Sequence, residues 1–91
     1  MPDISLCEAI EIANNYLNTL ETDIELMLQT DKTMSEDFGW VFFYNSKPYV
    51  ETGDFRFMLG GNAPLIVDKH TKQVTLTGTS HDISYYIENY N

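Results

Sequence analysis

The apolar residues near the start of the chain recur at the spacing of an amphipathic helix. Positions 5–20 place one stripe of them on a single helical face: Leu6, Ala9, Ile10, Ala13, Leu17 and Leu20. Residues three and four apart lie on the same side of an α-helix, so this stripe predicts a helix that packs on a core. Ser5 and Glu8 have the spacing of a capping box, in which each side chain accepts a hydrogen bond from a free backbone amide.

After this helix the apolar residues alternate with other residues, which is typical of β-strands. Residues 24–29 and 55–59 show the alternation, and residues 39–45 are bulky on both sides and predict a central strand. Residues 65–67 and 74–76 are short apolar runs separated by a polar stretch, which indicates a hairpin. The sequence therefore predicts four or five strands.

Polar stretches between these segments predict loops and turns. The longest such stretch covers residues 30–37. Shorter turns are expected at residues 46–48 and 52–54, because serine, proline, glycine and aspartate are common turn residues. Residues 49–51 would then form a short continuation of the preceding strand.

The last segment returns to helical spacing, with apolar or aromatic side chains at Ile83, Tyr86, Ile87 and Tyr90. Ser80 or Asp82 would cap this short helix. The order of helix, strands and short helix predicts an α+β fold, with the helices packed on one face of a mainly antiparallel sheet. The chain has 91 residues, and no linker or repeat is visible, so a single domain over residues 1–91 is expected.

Charge is distributed unevenly along the chain. It carries 14 acidic and 5 basic residues, a formal net charge of −9, and no Lys or Arg precedes Lys32. Such a field repels phosphate backbones, which argues against nucleic-acid binding. It would speed association with a basic protein, by an amount that falls with salt. The alternative is that the charge only keeps the protein soluble.

No catalytic or metal-binding pattern emerges from the residues that carry such chemistry. Cys7 falls in the predicted helix and is expected to be a small buried hydrophobe, while His70 and His81 are expected in solvated loops. Residues 60–62 are rich in glycine, but they lack the Lys and Ser or Thr of a phosphate loop. We therefore expect a binding protein without cofactor or metal, and not an enzyme.

The same sequence argues against export and membrane insertion. Its N-terminus lacks the basic head and the apolar run of a signal peptide. No apolar run approaches the roughly 18 residues of a spanning helix. A cytoplasmic protein is expected.

The predicted sheet has two faces of different character. One face collects apolar residues that we expect to lie under the helices: Ile24, Leu26, Leu28, Phe55, Phe57, Leu59, Val74 and Leu76. The opposite face is mixed in character and is expected to stay uncovered. One of two sets from the central strand lies on it, either Trp40, Phe42 and Tyr44 or Val41, Phe43 and Asn45.

This open sheet face is the candidate binding surface. Trp, Tyr, Met and Arg are enriched at protein interfaces, which makes four residues candidate anchors: Trp40, Tyr44, Arg56 and Met58. Three acidic residues are candidates for attracting a basic partner: Glu25, Glu51 and Asp54. The alternative is that the helices cover more of the sheet and the aromatic residues belong to the core.

Several runs of the sequence resemble the immunity protein 35 family of small, YrhB-like bacterial proteins. The strongest are GWVFFYN at residues 39–45, ETG at 51–53 and LGGNAPLIVD at 59–68. The first helix, residues 77–79 and the last helix extend the likeness over almost the whole chain. One departure is residues 69–72, where a turn containing glycine would be expected.

The resemblance implies an antidote that binds and neutralises a cognate protein toxin, which would be basic if the acidic surface attracts it. For some relatives the resemblance implies a chaperone-like role instead, in which the protein holds unfolded clients. It carries over no catalytic residues, and the motifs above are expected to determine the fold. The identity of the toxin and the choice between monomer and dimer stay open.

Overall fold

The computed structural model describes residues 3–20, 24–60, 63–78 and 82–90. In chain order they form α1 (Leu6–Asn18), β1 (Leu26–Leu28), a first 3₁₀ helix (Thr30–Lys32), β2 (Met34–Glu36), β3 (Gly39–Phe42), β4 (Tyr44–Ser46), α2 (Lys47–Thr52), a second 3₁₀ helix (Phe55–Phe57), β5 (Leu65–Asp68), β6 (Val74–Leu76) and α3 (Ile83–Glu88). The α+β class is confirmed, with a helix at the start, antiparallel strands and a short helix at the end.

Helix α1 begins as its capping signal predicts. The Glu8 amide donates to the Ser5 hydroxyl over 3.2 Å, and the Ser5 amide donates to the Glu8 carboxylate over 3.5 Å. The buried positions of the helix are Ala9, Ala13 and Leu17. Two small residues in this stripe let the helix backbone lie close to the sheet, which explains how so short a helix closes the core.

The strands form two antiparallel sheets instead of one. The larger sheet has the order β2-β3-β5-β6, and a smaller sheet pairs β1 with β4. Phe42 lies opposite Leu65, and both belong to the core cluster that packs on α1. The predicted central strand at residues 39–45 is divided at Phe43, so that β3 and β4 serve different sheets.

Both faces of β3 and β5 are covered. Val41 and Ile66 lie opposite each other, point away from α1 and are buried. On this second face the Tyr90 hydroxyl donates to the Asp68 carboxylate over 2.8 Å, and the Tyr90 ring lies 4.3 Å from the Phe38 ring. Tyr90 of the C-terminal segment therefore packs opposite α1, and the expectation that this face of the sheet stays uncovered is wrong.

The hairpin of β5 and β6 is confirmed, and its turn uses side-chain chemistry in place of glycine. The Asp68 carboxylate accepts hydrogen bonds from the amides of His70 and Thr71 over 2.8 and 3.0 Å. Lys72 has a φ of 65°, a left-handed conformation that L-residues adopt at a cost. The turn type that a glycine would normally favour is thus present without the glycine.

Two predicted segments have a different structure. Residues 30–37 are not a continuous loop, because they contain the first 3₁₀ helix and β2. Residues 49–51 lie in helix α2, and residues 55–57 form the second 3₁₀ helix instead of a strand. The strand predictions for residues 49–51 and 55–59 are therefore wrong.

Candidate protein-binding site

The segment between β4 and β5 owes its shape to local capping. The Tyr49 amide donates to the Ser46 hydroxyl over 3.2 Å, and Pro48 lies in the first turn, where its missing amide costs nothing. Gly53 ends α2 in the left-handed conformation, at φ 74° and ψ 11°. Asp54 then caps the second 3₁₀ helix by accepting from the Arg56 amide over 2.9 Å.

Two buried side chains of β4 hold both ends of this segment together. The Asn45 side chain donates to the Leu59 carbonyl over 3.2 Å and accepts from the Leu59 amide over 2.8 Å. The Ser46 hydroxyl donates to the Phe57 carbonyl over 2.5 Å. Because buried hydrogen bonds of this kind are costly to break, they fix the 3₁₀ helix against the smaller sheet.

The second 3₁₀ helix and its C-cap leave three large apolar side chains in solvent. Phe55 is 77% exposed, Phe57 is 45% exposed and Met58 is 50% exposed. We call these three residues the apolar patch. The Phe55 ring lies beside the Tyr49 ring of α2, at 6.0 Å between ring centroids. Clustered exposed apolar surface of this kind marks interaction sites in soluble proteins.

A groove of about 480 Å³ lies beside the apolar patch. The end of β4, helix α2, the 3₁₀ helix and the chain before β1 form its walls, with these lining residues: Ile24, Glu25, Ser46, Lys47, Pro48, Glu51 and Phe57. The Ser46 hydroxyl is already engaged in two hydrogen bonds. Polar recognition inside the groove is therefore left to its charged side chains.

The charged residues around the groove form two local ion pairs. The Lys47 ammonium lies 3.4 Å from the Glu25 carboxylate, and the Arg56 guanidinium lies 2.7 Å from the Asp54 carboxylate. The Arg56 guanidinium, followed by the Arg56 amide, lowers the pKa of Asp54. Within the part of the chain that the structure describes, Glu51 has no such partner. The rim of the groove is therefore net negative.

Comparison with known proteins assigns the chain to a family. The model of the family "Immunity protein 35" matches residues 7–88. The chain belongs to the immunity protein 35 family. This membership supports an immunity-protein function in general, and it confirms the family that the motifs in residues 39–79 resemble.

A curated relative supports the same assignment to the immunity protein 35 family. The chain is 31% identical to "Uncharacterized protein YrhB" of Escherichia coli strain K12 over 87 residues, which cover 96% of this chain and 88% of the relative. No solved structure gives a significant match. The arrangement of the groove and the apolar patch therefore comes from the present structure alone.

Five of the seven predicted site residues lie together in this immunity protein 35 family member. Glu25 and Glu51 line the groove, and three others lie in or beside the second 3₁₀ helix: Asp54, Arg56 and Met58. They meet because α2 packs on β1 and the 3₁₀ helix packs on α2, and not because a flat sheet face presents them. Their role in binding stays a prediction.

The other two predicted anchors lie elsewhere. Trp40 and Tyr44 are half-buried and pack against the core cluster. Burial raises the pKa of Tyr44, and the nearby Tyr16 adds to the effect. Both side chains therefore contact the core, and their role as binding anchors stays a prediction.

Four residues of the groove and the apolar patch were not among the predicted site residues: Phe55, Phe57, Ile24 and Lys47. The alternation of residues 55–59 had placed the two phenylalanines on the buried face of a predicted strand. A usable signal was present, since Ser46, Pro48 and Gly53 have the spacing of a short helix with an N-cap, an early proline and a C-terminal glycine. That signal predicts α2 in place of the strand at residues 49–51, but it carries no information on residues 55–59.

The remaining candidate groups give no chemical site in the described residues. Cys7 is exposed, against the expectation of burial. The His70 imidazole pairs with the Asp3 carboxylate over 2.6 Å, while His81 and residues 61–62 lie outside the described part. Over residues 3–20, 24–60, 63–78 and 82–90 no cluster of His, Cys, Asp and Glu could hold a metal, and no helix is long and apolar enough to cross a bilayer.

Proposed function

We propose that this protein is an immunity-type antidote that binds a cognate toxin domain and neutralises it. It acts by binding and not by catalysis, as one domain over residues 1–91 in the cytoplasm of the toxin-producing cell. Membership of the immunity protein 35 family supports the general function. The finer assignment, to a partner and a surface, rests on the structure of the segment after β4.

The observation that carries the proposal is the apolar patch. Burying a Phe or Met side chain completely is favourable by roughly 1.5–3 kcal/mol, so burying the exposed parts of Phe55, Phe57 and Met58 contributes roughly 3–5 kcal/mol. A micromolar complex needs about 8 kcal/mol. The patch would therefore supply a large part of the affinity, with the remainder from the surrounding polar contacts.

Charge supports a basic partner. The net charge of −9 attracts a positive surface over a distance of about 10 Å at moderate salt. The acidic candidates Glu25 and Glu51 stand beside the patch, so the long-range attraction and the apolar contact lie on the same side of the molecule. Such an arrangement raises the association rate more than it raises the affinity.

The test is calorimetry with the toxin domain encoded beside this gene, at two salt concentrations. Wild-type protein should bind one to one, and more weakly at high salt. Phe55→Thr should weaken binding at least tenfold. Leu76→Thr, which changes another exposed apolar residue, on β6, should not. Absence of wild-type binding would refute the antidote, and equal binding by Phe55→Thr would remove the patch from the interface.

The apolar patch also favours a second candidate, a chaperone-like protein that holds unfolded clients. A holding protein would use the same exposed rings without a matched partner surface. It should suppress aggregation of several unrelated proteins at stoichiometric amounts, and Phe55→Thr should reduce that effect. An antidote dedicated to one toxin should leave such aggregation unchanged.

A further inference from the structure

The charges of the groove are not balanced. Lys47, its one cationic lining residue, is paired with Glu25 at 3.4 Å. Among the described residues no cation pairs with Glu51, which lies on α2 with its side chain exposed. The groove therefore offers one carboxylate that keeps its full attraction for a positive group.

The rest of the groove is mainly apolar. Ile24, Pro48 and Phe57 line it, and the Ser46 hydroxyl has its hydrogen bonds inside the protein. A volume of about 480 Å³ lies within the range of roughly 300–1,000 Å³ that is usual for ligand sites. An apolar groove with an unpaired carboxylate among its lining residues is complementary to a long aliphatic stem with a cationic head.

We propose that this groove receives one arginine or lysine side chain of the toxin domain, with its charged head at Glu51 and its stem against Phe57 and Ile24. The proposal rests on the proposed function and adds to it the chemistry of the central contact. The apolar patch then packs around the inserted side chain and excludes water from it. An interface of this type has one charged anchor inside an apolar ring.

The same geometry excludes other occupants of the groove. A purely apolar side chain would cover Glu51 without giving it a partner, and an unpaired carboxylate is costly to remove from water. An acidic side chain would meet the negative rim. A cationic side chain compensates the charge of Glu51 while its aliphatic stem covers part of the apolar wall, so Glu51 favours partners that carry one.

The test compares two substitutions that remove the same charge. Glu51→Gln keeps the shape and helix propensity of the residue but removes its charge. Glu88→Gln is the matched control on α3, because the chain after it packs at Asp68, at the end of β3 and β5 far from β4. Calorimetry with the toxin domain should show a loss of about tenfold for Glu51→Gln and less than twofold for Glu88→Gln.

A double-mutant cycle identifies the inserted side chain. Each Lys and Arg of the toxin domain is changed to Gln and measured against wild-type protein and Glu51→Gln. One toxin variant should weaken binding to wild type about tenfold and have little further effect with Glu51→Gln. If no toxin cation is coupled to Glu51, the proposal is overturned.

The possible outcomes distinguish a failure of the groove assignment from a failure of the proposed function. Wild-type binding that Glu51→Gln weakens no more than Glu88→Gln overturns the groove assignment and leaves the antidote intact. No binding by wild-type protein overturns the antidote, and the groove assignment falls with it. Thermal unfolding of both variants shows that the comparison concerns folded proteins.

Discussion

Replacement of Gly39 by alanine should destabilise the protein severely. Gly39 opens β3 with a φ of +150°, in a region that side chains rarely adopt. A Cβ at this position would collide with the carbonyl oxygen of Val67 on the neighbouring strand and lie 3.0 Å from the backbone nitrogen of Lys69. Both obstacles are backbone atoms of a paired strand, so neither can move without disturbing the ladder.

The magnitude follows from two costs. The unfavourable φ costs roughly 1–3 kcal/mol. Relieving the collision means separating β3 from β5 at this end, which weakens one or two hydrogen bonds at about 1 kcal/mol each. The total is about 3 kcal/mol or more, against roughly 5–14 kcal/mol expected for a domain of this length. Gly39→Ala would therefore remove about a fifth or more of the stability.

Gly53→Ala is the matched control. Gly53 also has a positive φ, of 74°, but nothing lies within 4 Å of the position of an added Cβ. Only the left-handed backbone is penalised, at about 1 kcal/mol. In urea denaturation followed by the fluorescence of Trp40, the unfolding midpoint should fall by about 1 M for Gly53→Ala and by about 3 M for Gly39→Ala. Equal midpoints for Gly39→Ala and Gly53→Ala would refute the steric argument.

Three further outcomes are expected. Lys72→Gly relieves a φ of 65° and should stabilise by about 0.5–1 kcal/mol, so a lower melting temperature would contradict it. Burial opposes ionisation of Asp68, but hydrogen bonds from Tyr90 and two backbone amides outweigh it and lower its pKa. This stabilisation is present above about pH 4 and is lost as pH falls through the folded pKa, so the stability gap between wild type and Tyr90→Phe should narrow in acid, as urea titrations at pH 7 and pH 3 would show. Glu25→Lys with Glu51→Lys should slow association with the toxin domain in stopped flow, and high salt should abolish the difference.

Local signals in the sequence were sufficient for α1 and the last hairpin. The helix combines a stripe of helical period with the capping box of Ser5 and Glu8, and both act within a few residues. The hairpin is bounded by an aspartate that organises its own turn. Where neighbouring residues supply the hydrogen bonds, the sequence alone predicts the element.

The segment after β4 could not be predicted from alternation. Residues 55–59 alternate as a strand would, but five residues are too few to distinguish a strand from a 3₁₀ turn. The outcome depends on Asn45 and Ser46, whose side chains bind carbonyls eleven to fourteen residues later. Such distant partners leave no periodic trace in the sequence.

The same distinction between local and distant determinants applies to the candidate site residues. Charged residues such as Glu25 and Glu51 remain in solvent in almost any fold, so their exposure was predictable. Trp40 and Tyr44 depended on the register of β3 and on the break at Phe43, which tertiary packing decides. The exposure of Phe55 depended on the second 3₁₀ helix, which the alternation of residues 55–59 did not predict.

The hydrogen bonds from Asn45 and Ser46 make residues 47–58 a loop whose sequence can be exchanged. They join residues 45–46 to 57–59, so the ends of the intervening loop are fixed by the backbone of the loop and not by its outward side chains. Residues 47–58 can therefore diverge in sequence while the α1 core stays unchanged. Under the proposed function, grafting this loop between relatives that keep Asn45 and Ser46 would exchange their preference for one toxin over another in a single step.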